Sequence, residues 1–352
     1  MRADFHKVDP TKRLLITGSA GFIGFHLAKE LLGLGCRVIG YDSLNDYYDV
    51  GLKQARLKVL EEYNNFTFIQ GNLADRDTLH EVFSQYEPQI VINLAAQAGV
   101  RYSIQNPAAY MESNMTGFFQ ILEECRQSYA EDKTPVEHLV FASSSSVYGN
   151  QEKVPFSVED KVDEPVSFYA ATKKSNELMA HAYSHIYGIP ATGLRFFTVY
   201  GPYGRPDMAY FSFTRRILAG KPIQIFNEGD LYRDFTYIDD IVTGIKNVIY
   251  NPPLANAAGT RFKVYNIGNN QPVKLLRFIE ALEAALGVEA QKEFLPMQQG
   301  DVYQTYADVE ELMKDFDFKP DTPIEVGLER FVKWYREYYF STSNIYSYTE
   351  KH

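Results

Sequence analysis

The chain has 352 residues, 45% hydrophobic and 23% charged, which excludes wholesale disorder and allows one large domain or two sharing a cleft. A formal net charge of −10 argues against the basic stripe that nucleic-acid binding needs, while leaving room for a local cationic pocket. Cys36 and Cys125 form neither a disulfide framework nor a metal spacing, no run approaches the roughly 18–20 apolar residues of a membrane span, and Met1–Lys12 lacks a signal-peptide core, so a cytoplasmic protein with no membrane partner is expected.

In chain order, Leu14–Thr17, Arg37–Tyr41, Phe66–Ile69, Ile90–Leu94 and His138–Ala142 read as short buried strands. Phe22–Leu32, Leu52–Glu62, Thr78–Tyr86 and Tyr110–Tyr129 alternate with them as helices, the rhythm of β-α-β units and a parallel sheet. A long helix over Phe168–Tyr187 stops at Gly188 and Pro190, and Thr192–Phe196 follows as a sixth strand. After Arg195 the rhythm changes, and Gly201-Pro-Tyr-Gly-Arg-Pro206 is loop chemistry. A helix at Tyr210–Ala219, a strand at Ile223–Phe226 and helices at Leu275–Leu286 and Ile324–Tyr338 make a smaller α+β part. Thr236–Tyr250 and Lys263–Ile267 are expected to rejoin the first part. The expected fold class is therefore α/β: a Rossmann doubly wound parallel sheet over residues 1–195, with returning segments at about 236–267. A smaller α+β substrate-binding domain would occupy 196–340, and 341–352 would be a tail.

Gly18-Ser-Ala-Gly21-Phe22-Ile23-Gly24 directly follows the first strand and opens the first helix. Glycines there permit a tight turn and let backbone N–H groups approach a pyrophosphate at the helix N-terminus. A Gly-rich turn alone is weak; the strand–turn–helix context strengthens it. Asp42 ends the second strand 18 residues after Gly24, where a carboxylate accepts both adenosine ribose hydroxyls and repels a 2′-phosphate. NAD is thus the expected cofactor, against the bland reading of an Asp that merely starts a turn. Asn72 and Leu73 are placed to meet the adenine, and Leu94, Ala95, Ala96 and Gln97 to line the cofactor's path.

Tyr169-Ala-Ala-Thr-Lys173 puts a phenol and an ammonium on one helix face. Ser143, Ser144, Ser145 and Ser146 end the fifth strand, at the carboxyl edge where open α/β sheets bind ligands, with Ser144 lying 25 residues before Tyr169. A free phenol titrates near about pH 10. A cation at about 4 Å contributes roughly 4 kcal/mol at an effective dielectric of 20, enough to make Tyr169 a working base. Each element alone has a dull explanation; their combination and spacing do not. His181 and His185 lack the Glu and third ligand of a zinc site, so no metal is expected. Cys125 reads as core, and Glu159-Asp-Lys161 as surface.

Together these motifs resemble the extended short-chain dehydrogenases that act on nucleotide sugars, from about Arg13 to Tyr339. Ala95-Ala-Gln-Ala-Gly-Val-Arg-Tyr-Ser103, Gly193–Ala209, Asn45-Asp-Tyr-Tyr-Asp49 and Gly300–Asp308 are similar to UDP-glucuronate 4-epimerases. Thr198 stands where UDP-galactose 4-epimerases usually carry Asn, and Gln298 where neutral-sugar relatives often have an arginine.

The resemblance implies that Tyr169 takes the sugar 4-hydroxyl proton while C4 passes hydride to NAD. Ser144 would hold the oxygen, with Ser146 as a second candidate. The 4-keto sugar then turns about its diphosphate and receives the hydride on its other face, so NAD stays bound. Asn45 and Phe196 join the cofactor contacts. Arg233 and Asp301 would hold the UDP, Phe226 would pack beside uracil, and Ser145 and Gln298 complete the substrate set. Thr198, Arg101 and Arg205 are candidates for the C5 carboxylate, which must be kept from leaving as carbon dioxide once C4 is a ketone. The family usually pairs through two long helices, here 110–129 and 168–187, so a homodimer is expected. The alternatives are a 4-epimerase of a neutral UDP-hexose or UDP-N-acetylhexosamine, a UDP-glucuronate decarboxylase and, outside enzymes, a silent NAD-binding regulator.

Overall fold

The structure is a computed structural model that describes residues 5–297 and 303–340. Six strands open the chain: β1 (Arg13–Thr17), β2 (Arg37–Asp42), β3 (Phe66–Gln70), β4 (Ile90–Asn93), β5 (His138–Ser144) and β6 (Ala191–Phe196). With β7 (Thr198–Tyr200), β8 (Ile223–Phe226), β9 (Tyr232–Tyr237), β10 (Phe262–Ile267), β11 (Pro272–Lys274) and β12 (Lys292–Leu295) they form three sheets. The largest has seven strands in the order β3-β2-β1-β4-β5-β6-β10, every neighbour parallel. This is the doubly wound arrangement, with its switch point between β1 and β4. Its central strands are apolar on both faces, as a sheet covered twice must be: Leu14, Leu15 and Ile16 are fully buried.

The helices are α1 (Phe22–Gly33), α2 (Val50–Leu60), α3 (Arg76–Tyr86), α4 (Tyr102–Gln105), α5 (Pro107–Tyr110), α6 (Phe118–Gln127), α7 (Phe168–Tyr187), α8 (Ala209–Leu218), α9 (Ile238–Ile249), α10 (Leu275–Leu286), α11 (Glu310–Phe316) and α12 (Ile324–Phe340). Ser167 starts α7 by accepting from the Ala170 N–H, and Gly188 ends it at a φ of +72°. One sheet face packs Leu15, Val91 and Leu139 against Phe118, Ile121 and Ala180 of α6 and α7. The other face carries α1 and α9, and its apolar core continues without a seam into α8, α10 and α12. β10 pairs with β6, while β7 and β11 flank β9 in a separate three-stranded sheet. Among the described residues, no helix is long and apolar enough to cross a membrane.

One expected helix is not a single α-helix. The stretch read as Tyr110–Tyr129 divides into α5, a π-helix at Met111–Gly117 and α6. The widened turn lets Asn114 reach sideways: its side chain accepts from Gln97 N–H at 2.8 Å and donates to Gln97 C=O at 3.0 Å. It also donates to the Thr172 hydroxyl at 3.0 Å, and its own carbonyl accepts from Asn176 at 2.7 Å. The loop after β4 is thereby tied to α7, a functional use to which π-turns are often put.

Candidate active site

A cleft opens at the carboxyl ends of β1, β2, β4 and β5, where the strand order reverses. Its floor is the turn from β1 into α1. Gly18 has a φ of +72°, and a Cβ there would lie 2.8 Å from Ala95 N. A Cβ on Gly24 would lie 2.1 Å from the Gly18 carbonyl oxygen. The loop is therefore pressed against both β4 and its own helix, and a side chain at either position would push it away. Helix α1 begins at an N-cap glycine, Gly21, with no side-chain cap and no acidic residue in the first turn. Its leading N–H groups thus remain available to an anion.

Asp42 sits at the rim, 8% exposed, accepting from the N–H of Ala20 at 3.1 Å and of Leu44 at 2.9 Å. These bonds aim the carboxylate while leaving acceptor capacity for ribose hydroxyls. The candidates Gly18, Gly21, Phe22, Ile23, Gly24, Asn45, Asn72, Leu73, Leu94, Ala95, Ala96, Gln97, Tyr169, Lys173 and Phe196 line the same cleft. Asn72 also donates to Glu112 at 2.7 Å. A dinucleotide fits this site: glycines where a Cβ would intrude, an uncapped helix end, and an oriented carboxylate at the second strand.

At the far end of the cleft Ser144, Tyr169 and Lys173 meet. The Ser144 hydroxyl accepts from the Ser146 N–H and donates to the Ser146 hydroxyl, both at 3.2 Å. Ser143 is committed elsewhere, donating to Glu177 at 2.6 Å. Hydrogen bonding therefore sorts the serine run in a way that residue types alone did not.

Lys173 Nζ donates to the Ala142 carbonyl at 2.8 Å and stands 6.0 Å from the Tyr169 ring centroid. Burial pushes its ammonium down to about 8. Burial also pushes the Tyr169 phenol up, and the nearby Ser144 hydroxyl and the Arg205 charge pull it partly back. The sequence reading credited Lys173 as the protein cation acting on the phenol; in the structure the charge that draws the phenol down is that of Arg205.

Arg205 is the substrate candidate that, with Ser144, lines the cleft. Arg101 and Phe226, from distant parts of the chain, come together outside it, the guanidinium 5.8 Å from the ring centroid. Arg233 lies half-buried on β9 and donates to the carbonyls of Tyr232 and Tyr303. Thr198 begins β7 half-buried, its hydroxyl making no protein hydrogen bond among the described residues. Ser145 and Ser146 occupy a 3-10 turn beyond Ser144 and are not part of the cleft lining. Gln298 and Asp301 lie outside the described residues. His185 bonds the Thr260 hydroxyl and His181 packs edge-on against Phe262, so the pair does not converge.

Lys53, Tyr47, Tyr48 and Met208 also line the cleft, and the sequence reading did not assign them. Buried Lys53 donates to the Asn45 backbone carbonyl at 2.7 Å and to its side chain at 2.6 Å. The signal for the two tyrosines was present in Asn45-Asp-Tyr-Tyr-Asp49, noted only as a likeness.

Residues 14–268 match the profile of the NAD dependent epimerase/dehydratase family. Protein CapI of Staphylococcus aureus is 53% identical over 338 residues, covering 93% of this chain and 99% of that protein. A probable UDP-glucuronate 4-epimerase of Rhizobium meliloti is 48% identical, covering 93% and 98%. Among solved structures, the UDP-glucuronic acid 4-epimerase of Bacillus cereus, in complex with UDP-glucuronic acid and NAD, matches with a TM-score of 0.83. It is 33% identical, over 93% of this chain and 100% of that one.

Proposed function

The chain belongs to the NAD dependent epimerase/dehydratase family, and from that premise we propose that it interconverts UDP-glucuronate and UDP-galacturonate by inverting C4. The observation that carries the reading is that Ser144, Tyr169, Lys173 and Arg205 line one end of a cleft whose other end is a dinucleotide cradle. When bound, NAD supplies the hydride acceptor and donor at C4.

The residues divide the remaining work. Backbone N–H groups of the Gly18–Gly24 turn hold the pyrophosphate, and Asp42 accepts the adenosine ribose hydroxyls, with Asn45, Asn72 and Leu73 closing that end. Tyr169 takes the proton of the 4-hydroxyl and later returns it. Ser144 holds the 4-oxygen, with Ser146 positioned by hydrogen bonding to it as a second hydroxyl. Lys173, fixed by the Ala142 carbonyl, keeps positive charge below the phenol. Arg205 and Thr198 receive the C5 carboxylate, which would otherwise be desolvated without a partner. Arg233, Phe226 and Arg101 form the outer anchor for the UDP, so the sugar can turn while its tether stays. Residues 196–340 supply Arg205, Thr198, Arg233 and Phe226 to these substrate contacts, and 1–195 with 236–267 carry the cofactor.

The two buried free cysteines support a reducing, cytoplasmic setting. Pairing of two copies through 110–129 and 168–187 is supported by Met111, Phe119, Leu178 and Ile186, exposed apolar residues on those segments. Light scattering tests it: the reading expects the mass of a dimer.

Incubation with UDP-glucuronate, UDP-glucose and UDP-N-acetylglucosamine in parallel tests the function. The reading expects C4 inversion of the acidic sugar far ahead of the other two. Turnover of a neutral sugar alone, a UDP-pentose as sole product, or no turnover at all would replace it with the neutral epimerase, the decarboxylase or the silent binder.

A further inference from the structure

We infer that Asp207 and Tyr47 form a latch that aims Arg205 at an acidic sugar, making them specificity-determining positioning residues that do not themselves touch substrate. The inference rests on the proposed C5-carboxylate reading of Arg205.

The guanidinium is gripped from the side. Nε donates to Asp207 Oδ1 at 3.0 Å and Nη2 to Oδ2 at 2.5 Å, and this two-pronged contact fixes the plane of the fork. The Tyr47 hydroxyl donates to the same Oδ2 at 3.2 Å. Tyr47 is steadied in turn by the Tyr102 ring, with centroids 4.7 Å apart. What remains is the end of the fork: Nη1 makes no protein hydrogen bond among the described residues. A second carboxylate can take that end in the same two-pronged way. One arginine then serves two carboxylates, Asp207 on its side and the sugar's on its tip.

The backbone beneath Arg205 is also held. Arg56, fully buried, donates to the Tyr203 carbonyl at 2.6 Å and to the Ala20 carbonyl at 2.8 Å. The arginine's loop is thus fastened to the dinucleotide turn, and Tyr47 and Arg56 both come from the stretch just after Asp42. The Arg205–Asp207 pair is itself partly exposed, at 24% and 28%, so its stabilisation of the fold is small. Its consequence is direction.

The test compares affinities of the NAD-loaded wild type, Asp207→Asn, Tyr47→Phe and Arg205→Met for UDP-glucuronate and for UDP-glucose, by calorimetry. Asp207→Asn is expected to lose about tenfold in UDP-glucuronate affinity and Tyr47→Phe about threefold, with UDP-glucose affinity unchanged in both. Arg205→Met is expected to abolish the preference. Equal weakening toward both ligands would mean a merely structural role and overturns the latch. So does a gain in UDP-glucuronate affinity, the result if Asp207 only competes for the guanidinium. Loss of preference in Arg205→Met but in neither other variant also overturns the latch, while leaving the carboxylate reading standing. Retention of preference in Arg205→Met removes both. If Asp207→Asn does not fold, Tyr47→Phe decides by the same criteria.

Discussion

Glu177 and Arg195 face each other in the interior as a two-pronged ion pair, Nε to Oε1 at 2.8 Å and Nη2 to Oε2 at 2.9 Å, each side chain 4% exposed. Glu177 lies one turn beyond Lys173 on α7, and Arg195 lies on β6. Ser143 donates to the glutamate at 2.6 Å, while Arg195 donates to the Tyr148 hydroxyl at 2.9 Å, which donates to Asn266 at 2.7 Å. The pair therefore joins the helix bearing the phenol to β6, and the Ser143 bond ties the same glutamate to the end of β5 that bears Ser144. Removing Glu177 leaves the buried Arg195 charge without its carboxylate, which costs about 3–5 kcal/mol. Glu177→Gln should lower the urea midpoint accordingly without changing the slope, and the Glu177→Leu/Arg195→Leu pair should recover much of the loss. A change below about 1 kcal/mol in the single variant would show that the pair bears little on stability.

Two glycines of α1 give opposite expectations. Gly24→Ala places its methyl 2.1 Å from the Gly18 carbonyl oxygen, so the turn must shift and NAD should be lost on purification. Gly33→Ala meets nothing within 4 Å and should leave NAD content untouched. Absorbance and released-nucleotide analysis of both purified variants read this directly. Retention of NAD by Gly24→Ala would mean the close approach of loop and helix is dispensable.

Lys173 predicts a stability cost that depends on pH. Burial moves its pKa from the ordinary 10.5 down to about 8, so the unfolded chain holds the proton more tightly than the folded one. Below about pH 8 both states are protonated and the penalty is fully present. Between 8 and 10.5 only the unfolded state keeps the proton, so stability at this site rises with pH. In cofactor-stripped protein, Lys173→Met should stabilise the fold at pH 7 by up to about 3 kcal/mol, less the partner lost to the Ala142 carbonyl. The advantage should fade toward pH 10.5, even though turnover is lost. Thermal melts across that range showing Lys173→Met less stable throughout would contradict it.

Oxidation at C4 turns glucuronate into a β-keto acid, and on the proposed reading Thr198, whose hydroxyl at the start of β7 makes no hydrogen bond among the described residues, holds the carboxylate near the carbonyl plane. In that plane the bond to carbon dioxide overlaps poorly with the ketone. Thr198→Ala should release UDP-pentose at least several-fold above the parent, measured by product chromatography. No rise would remove this role.

The sheet was legible because its strands are short apolar runs punctuated by glycines, and the cleft-lining residues Gly18, Gly21, Gly24, Asp42, Asn72 and Leu94 because they lie at or just after strand ends. Asp42 and Gly18–Gly24 needed only local chemistry. The π-turn around Asn114 was not legible, since a 3.6-residue period does not distinguish one widened turn. The separate duties of Ser143 and Ser144 depend on Glu177, 34 residues away, and nothing local marks that bond. Arg205 was a loop arginine among several candidates, and although Asp207 stands two residues on, only folding sets it beside Tyr47 and the phenol. Arg56, fully buried beneath the Ala20 and Tyr203 carbonyls, lies in a stretch read only as the helix Leu52–Glu62, and nothing local marks its burial.

The claim on which the account turns is that the Tyr169 phenol carries the proton during C4 inversion. Wild type and Tyr169→Phe, each purified and incubated with UDP-glucuronate without added NAD, should differ by about 10²–10⁴-fold in the rate of UDP-galacturonate formation, with equal NAD content. Equal rates would contradict the account.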